Sequence, residues 1–358
     1  MWPYDQPSQS MKFRLRVQNA SAFQFLKFVD LVKLKNLCEN MTTIQCLYYL
    51  HRNQTDYLQP LSADETRLFK ETYCTENNKV LFHTFWGKTR FLNNQILQVH
   101  ILSFLYTQNL QCSRLIVWLW PPLDSRIKQL YDQLYAPHVE FRTTMSVAEK
   151  LREIDIYVGS HWSGLPWRWF IPYRALFSDV LRFIILHEFG GIYIDVDALL
   201  LRDLQPFFSY EFGYRWSFLN GFNTGVLRLF AKSNVSSIII NRARQTKSPF
   251  EFFPSSLEKR HSLPANFYRL PSAFFDPIWL AVDEVDQSSR QEWKLSSGFL
   301  VAFKDPLRQQ SEISRRGRSV FDGAFIFHWH ASSTPKIFEP GSYLHQWSEF
   351  LNSEFFDK

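Results

Sequence analysis

The sequence predicts an α/β fold, a sheet of buried strands joined by crossover helices, and two features carry that expectation. From Lys79 onward, short continuous apolar runs alternate with segments of helical periodicity, and one helical stripe ends at a glycine pair that leads straight into another apolar run. Composition agrees. With 46% hydrophobic and 21% charged residues in a chain of 358, a sizeable core can be buried and a disordered chain is excluded; 12 glycines and an aromatic share of 17% exclude collagen-like and low-complexity chains.

Taken in order, residues 1–78 are mixed and polar without a strong period, and are expected to form a stem or accessory segment of short helices. A main domain over 79–347 and a tail over 348–358 follow. Val80–Trp86 reads as a buried strand, 91–110 as a helix, and Leu115–Trp120 as a second buried strand closed by Pro121 and Pro122, which makes a β-α-β unit. Residues 123–135 are expected to be helical, Val139–Phe141 a strand, Val147–Leu151 a short helix, and the proline-rich stretch 248–277 an irregular insertion. Between 173 and 197, Leu176, Phe177, Val180, Leu181, Ile184 and Ile185 form one apolar helical stripe, and Gly190 and Gly191 can take the positive φ of a C-terminal cap. The strand Ile192–Ile194 then runs into Asp195-Val196-Asp197. Ligands of α/β sheets bind beyond the carboxyl ends of strands, so this acidic pair emerges where a substrate would sit.

The net charge of +6 suits an anionic substrate. Because the basic residues are dispersed, apart from Arg315, Arg316 and Arg318 in a loop-like stretch, no nucleic-acid partner is expected. Cys38, Cys46, Cys74 and Cys112 lie in the first third without paired C-x-x-C spacing, so two disulfides and four free thiols are both open. The sequons at Asn19, Asn40, Asn53 and Asn234 point to the lumen of the Golgi or endoplasmic reticulum. The N-terminus shows neither an apolar signal core nor a membrane span, so the luminal reading, a type II membrane protein, requires an anchor absent from this sequence; the alternative is an intracellular enzyme acting on protein.

Carboxylates at i and i+2 of an extended chain point to one side and offer two hard oxygen donors to one divalent cation, manganese or magnesium. Such an ion can grip a diphosphate and offset the charge that develops as it leaves. The string Ser178-Asp-Val-Leu-Arg182 followed by Gly190-Gly-Ile-Tyr-Ile-Asp-Val-Asp197 resembles the sugar-binding region of the DXD glycosyltransferases, the group of the α-1,4-galactosyl- and N-acetylglucosaminyltransferases and the initiating mannosyltransferases. Weaker resemblance runs from the Val80 strand through Phe274-Phe-Asp-Pro-Ile-Trp279 to Phe327-His-Trp-His330.

The resemblance implies a GT-A fold, that is, a Rossmann-like mixed sheet flanked by helices, with a UDP-linked nucleotide-sugar donor, a divalent metal and retention of configuration. It further implies that Asp179 and Arg182 contact the donor sugar and diphosphate, that Tyr193 lies near the nucleotide, and that His83, Thr84, Phe85 and Trp86 end the strand where the nucleobase binds. Asp195, Asp197 and His330 would hold the metal, with His328 as the alternative imidazole. Lys336 would reach the diphosphate, and Asn223 would face the acceptor or the sugar. The expected function is transfer of a hexose or N-acetylhexosamine to a glycan or glycolipid; a glycan-binding protein without turnover is the competing reading.

Overall fold

The computed structural model describes residues 26–41, 43–87, 95–120, 125–144, 174–215, 222–246, 249–253, 263–277, 320–330 and 343–355. The helix expected at 147–151, the cluster Arg315–Arg318, Lys336 and much of the proline-rich stretch lie outside them.

Apolar runs become strands where both faces are covered. β3 (Val80–Trp86), β4 (Ser113–Leu119), β5 (Val139–Thr143), β6 (Gly191–Ile194), β8 (Glu211–Arg215), β9 (Phe222–Leu229) and β10 (Phe267–Leu270) form a seven-stranded sheet in the order β10-β8-β9-β6-β3-β4-β5. β9 is antiparallel to both neighbours, and all other adjacent pairs are parallel. The expected α/β architecture, a mixed sheet flanked by helices, is the one observed. Alternation along β4 shows how it is covered: Leu115, Val117 and Leu119 enter one core, Ile116 and Trp118 the other.

The second core belongs to α7 (Arg174–Phe189) and α8 (Asn234–Thr246). Phe177, Val180, Leu181, Ile184 and Ile185 of α7 are buried there as expected, and Gly190 closes the helix with φ +64°, its N–H donating to the Leu186 carbonyl. Gly191 has φ +110°, and a Cβ there would lie 2.1 Å from the Leu81 carbonyl oxygen, so only glycine lets β6 enter the sheet beside β3.

The first core is built by α5 (Gln95–Thr107), by the N-terminal elements, and by α9 (Tyr343–Phe355). Those N-terminal elements are β1 (Lys27–Val29), α1 (Leu31–Glu39), α2 (Thr43–Arg52), α3 (Gln54–Tyr57), β2 (Leu58–Pro60) and α4 (Ala63–Tyr73). Short helices before residue 78 were expected, but Leu31, Leu34, Leu47 and Leu50 share one core with Phe82 and Leu115, so residue 78 marks a connection within continuous packing. Residue 348 falls inside α9, whose Leu344, Leu351 and Phe355 are buried. α6 (Ser125–Tyr135) agrees with the helix expected at 123–135.

The cysteines form two disulfides, Cys38–Cys46 between α1 and α2 and Cys74–Cys112 between the end of α4 and the start of β4. The second ties the helical segment to the sheet. Cys74→Ser is therefore expected to lower stability by about 2–4 kcal/mol, read as a lower denaturant midpoint under non-reducing conditions. A midpoint equal to that of the unaltered chain would contradict the linkage. Among the described residues no helix is long and apolar enough to cross a membrane.

Candidate active site at the carboxyl end of β6

Asp195 leaves β6 with its N–H donating to the Gly225 carbonyl at 2.7 Å, which extends the β6–β9 ladder by one residue. After Asp197 the chain enters β7 (Ala198–Leu200), which pairs antiparallel with β11 (Ile326–His328) and sets His328 opposite Ala198. The Trp329 N–H donates to the Asp197 carbonyl at 3.0 Å. This pairing brings His328 Nε2 to 3.4 Å from Asp197 Oδ1, and ligand atoms of Asp195, Asp197 and His328 lie within 4.8 Å of one another.

His330 is placed beside Asp276 and the ring of His328. Strand parity would put it on the face of His328 only if the chain stayed extended, but β11 ends at His328 and His330 turns at φ +52°. Its Nε2 instead lies 3.0 Å from Asp276 Oδ2, with its ring 3.9 Å from that of His328. His328 thus takes the place beside the aspartate pair. Burial acts to lower its imidazole, but Asp197, Asp276 and Asp195 override this and raise it to about 9, so a metal ion arriving there displaces a proton.

Arg182 is buried on α7 and its fork is spent on the protein. Nη2 lies 3.0 Å from Asp179 Oδ1 and 3.2 Å from Asp195 Oδ1, Nη1 donates to Thr224 Oγ1 at 2.8 Å, and Nε donates to the Ser178 carbonyl at 3.2 Å. Its guanidinium also sits over the Tyr193 ring at 4.8 Å, and the Tyr193 hydroxyl meets Ser178 Oγ at 2.9 Å. Burial pushes Asp179 up to about 6, with Arg182 opposing the shift, and burial likewise raises Asp195. Arg182 therefore links two carboxylates that would be costly to bury alone.

His83 is a core residue, contrary to expectation. Its Nδ1 accepts from Trp118 Nε1 at 3.2 Å and its Nε2–H donates to the Gly190 carbonyl at 2.9 Å, and burial lowers its imidazole to about 3. Phe85 packs edge-on to Phe177 in the second core, and Trp86 is 2% exposed in the first. β3 is central and covered on both faces, so both rings are largely buried in the two cores. Thr84 is buried as well. Asn223, 6% exposed, accepts from the Gly225 N–H at 2.8 Å and so shapes β9 beside Asp195.

Four participants were not singled out from the sequence. Tyr214 and Asp276 contact His328, Thr224 receives Arg182, and His100 of α5 donates Nδ1–H to the Ala198 carbonyl at 2.8 Å, supporting the start of β7. For Asp276 a signal existed: an acidic residue in an aromatic run, Phe274-Phe-Asp-Pro277, has to find a partner once buried.

Residues 125–212, which include Asp179, Arg182, Asp195 and Asp197, match the family described as glycosyltransferase sugar-binding region containing DXD motif. The DXD region lies within a chain similar to inositol phosphoceramide mannosyltransferase 3 of Schizosaccharomyces pombe, at 26% identity over 216 residues, 46% of this chain and 60% of that one. The chain thus spans less than two thirds of that relative. Two solved structures are similar at lower levels: mouse xyloside xylosyltransferase 1, at 14% identity and TM-score 0.43 over 71% of this chain and 98% of that one, and the PaToxG glycosyltransferase, at 12% identity and TM-score 0.37 over 69% and 88%.

Proposed function

We propose that the chain is a metal-dependent, retaining glycosyltransferase that moves a hexose or N-acetylhexosamine from a nucleotide-sugar donor, UDP-linked, to a glycan or glycolipid acceptor. The observation that carries this reading is the convergence of Asp195, Asp197 and His328 beyond the carboxyl end of β6. Two hard oxygens and one imidazole suit manganese. Gly225 keeps the site open: a Cβ there would lie 2.9 Å from Asp195 Oδ2 and 3.1 Å from His328 Nδ1. A divalent ion in this place supplies charge compensation for a departing diphosphate.

Each side chain then has a distinct task. Asp195 and Asp197 present carboxylates, Arg182 and Thr224 fix the orientation of Asp195 through the link just described, and Asp179 balances the buried guanidinium. Tyr193 stiffens the same cluster from below through Ser178. Asn223 holds the β9 backbone against the site, and Lys336, outside the described residues, remains assigned to the diphosphate by resemblance alone. The mannosyltransferase relative supports a lipid-linked acceptor, and the two disulfides support a Golgi or endoplasmic reticulum lumen, where such bonds persist.

The test is release of nucleoside diphosphate from a panel of UDP- and GDP-linked sugars by the purified chain, with manganese and with chelator. Turnover of one donor is expected, lost in chelator and restored by manganese. Turnover indifferent to chelator would overturn the metal reading, and no turnover or binding of any donor would overturn the enzymatic one.

A further inference from the structure

Tyr214 and Asp276 sit behind His328, on the side away from the aspartate pair's nearest contact, and both are fully buried. The Tyr214 hydroxyl donates to Asp276 Oδ2 at 3.3 Å, and the Tyr214 hydroxyl oxygen is 3.0 Å from His328 Nδ1. A phenol has one proton to give. Once that proton goes to the carboxylate, the phenol oxygen can only accept from Nδ1–H, so the proton on His328 is held at Nδ1. Nε2, the nitrogen 3.4 Å from Asp197 Oδ1, is then the one whose electron pair can face a cation.

We propose that Tyr214 and Asp276 are positioning residues that select the nitrogen of His328 available to a metal held by Asp195 and Asp197. The proposal rests on the metal-dependent reading given above. If Asp276 were removed, the Tyr214 hydroxyl would be released to donate to Nδ1, which drives the imidazole proton to Nε2 and closes that nitrogen to ligation. His330 contributes as well, since its Nε2 lies 3.0 Å and 3.1 Å from the two Asp276 oxygens and holds the carboxylate in place. Asp276, His328 and His330 also form a ligand-like group within 4.8 Å, and in this account that group supports the first one instead of holding an ion of its own.

The experiment measures manganese binding to the full chain by electron paramagnetic resonance, without nucleotide, and reads imidazole nitrogen coupling of the bound ion by the pulsed method. The unaltered chain is expected to bind manganese with nitrogen coupling. Tyr214→Phe keeps the ring that packs 5.8 Å from Phe275 and removes only the hydroxyl. It should weaken manganese affinity by roughly 10–100-fold and abolish the coupling, with thermal unfolding in chelator little changed. Asp276→Asn retains an acceptor for the tyrosine and should fall between the two. Should Tyr214→Phe not fold, Asp276→Asn decides the matter, and affinity equal to the unaltered chain overturns the proposal. A folded Tyr214→Phe with full affinity and intact coupling overturns it as well. Manganese bound by oxygen ligands alone would sink this inference and leave the aspartate-based function standing, whereas an absence of manganese binding would end both.

Discussion

Asp197→Ala is expected to lower metal-dependent transfer on the order of 10²-fold or more while leaving the fold intact. The asymmetry follows from placement. Asp197 stands in the short connection between β6 and β7 with its side chain 20% exposed, and its backbone carbonyl, which pairs with Trp329, is untouched by the substitution. Loss of the carboxylate removes one of two hard donors from the site and one of the charges that hold His328. Initial rates with saturating manganese, compared with unfolding curves in chelator, check both halves. Activity within a few-fold of the unaltered enzyme would remove Asp197 from the site, and a collapsed melting transition would make its role structural.

Arg182→Ala is expected to act on the fold first. The guanidinium lies between Asp179 and Asp195, each within 3.2 Å of Nη2, and its side chain is only 5% exposed. Removing one member of a buried charge cluster leaves the others uncompensated, which costs about 3–5 kcal/mol. Arg182→Lys keeps the charge but loses the planar fork that reaches Asp179, Asp195 and Thr224 together, so it should recover part of the stability and little of the activity. Thermal unfolding of both variants decides this. An Arg182→Ala chain as stable as the original would mean that the guanidinium is directed to the donor after all, as the family resemblance implied.

The parts of the fold legible in the sequence are those buried on both faces. β3, β4 and the α7–β6 segment read as apolar runs because their apolar residues enter one core or the other, and the glycine pair announced the turn between helix and strand. The acidic pair was legible for the same reason, since it ends a strand. Other features depend on contacts between distant segments. Whether His328 or His330 meets Asp197 is decided by where β11 stops pairing with β7, and Tyr214 and Asp276 reach His328 from separate strands and turns. The N-terminal helices looked like a detached segment because their apolar residues are mixed with polar ones without a strong period. Leu34 and Leu47 nevertheless pack into the core of the sheet. His83, Phe85 and Trp86 show how far burial depends on context, since these polar and aromatic residues at a strand end lie on a central strand covered on both faces.

The central claim is that Asp195, Asp197 and His328 jointly hold a divalent ion at the end of β6. The most direct measurement is the anomalous scattering of manganese in a crystal grown with the ion and a nucleoside diphosphate. The account predicts one peak within about 2–2.5 Å of a carboxylate oxygen of the aspartate pair and of His328 Nε2. A peak between Asp276 and His330, or manganese bound by the nucleotide with no contact to either aspartate, would contradict it.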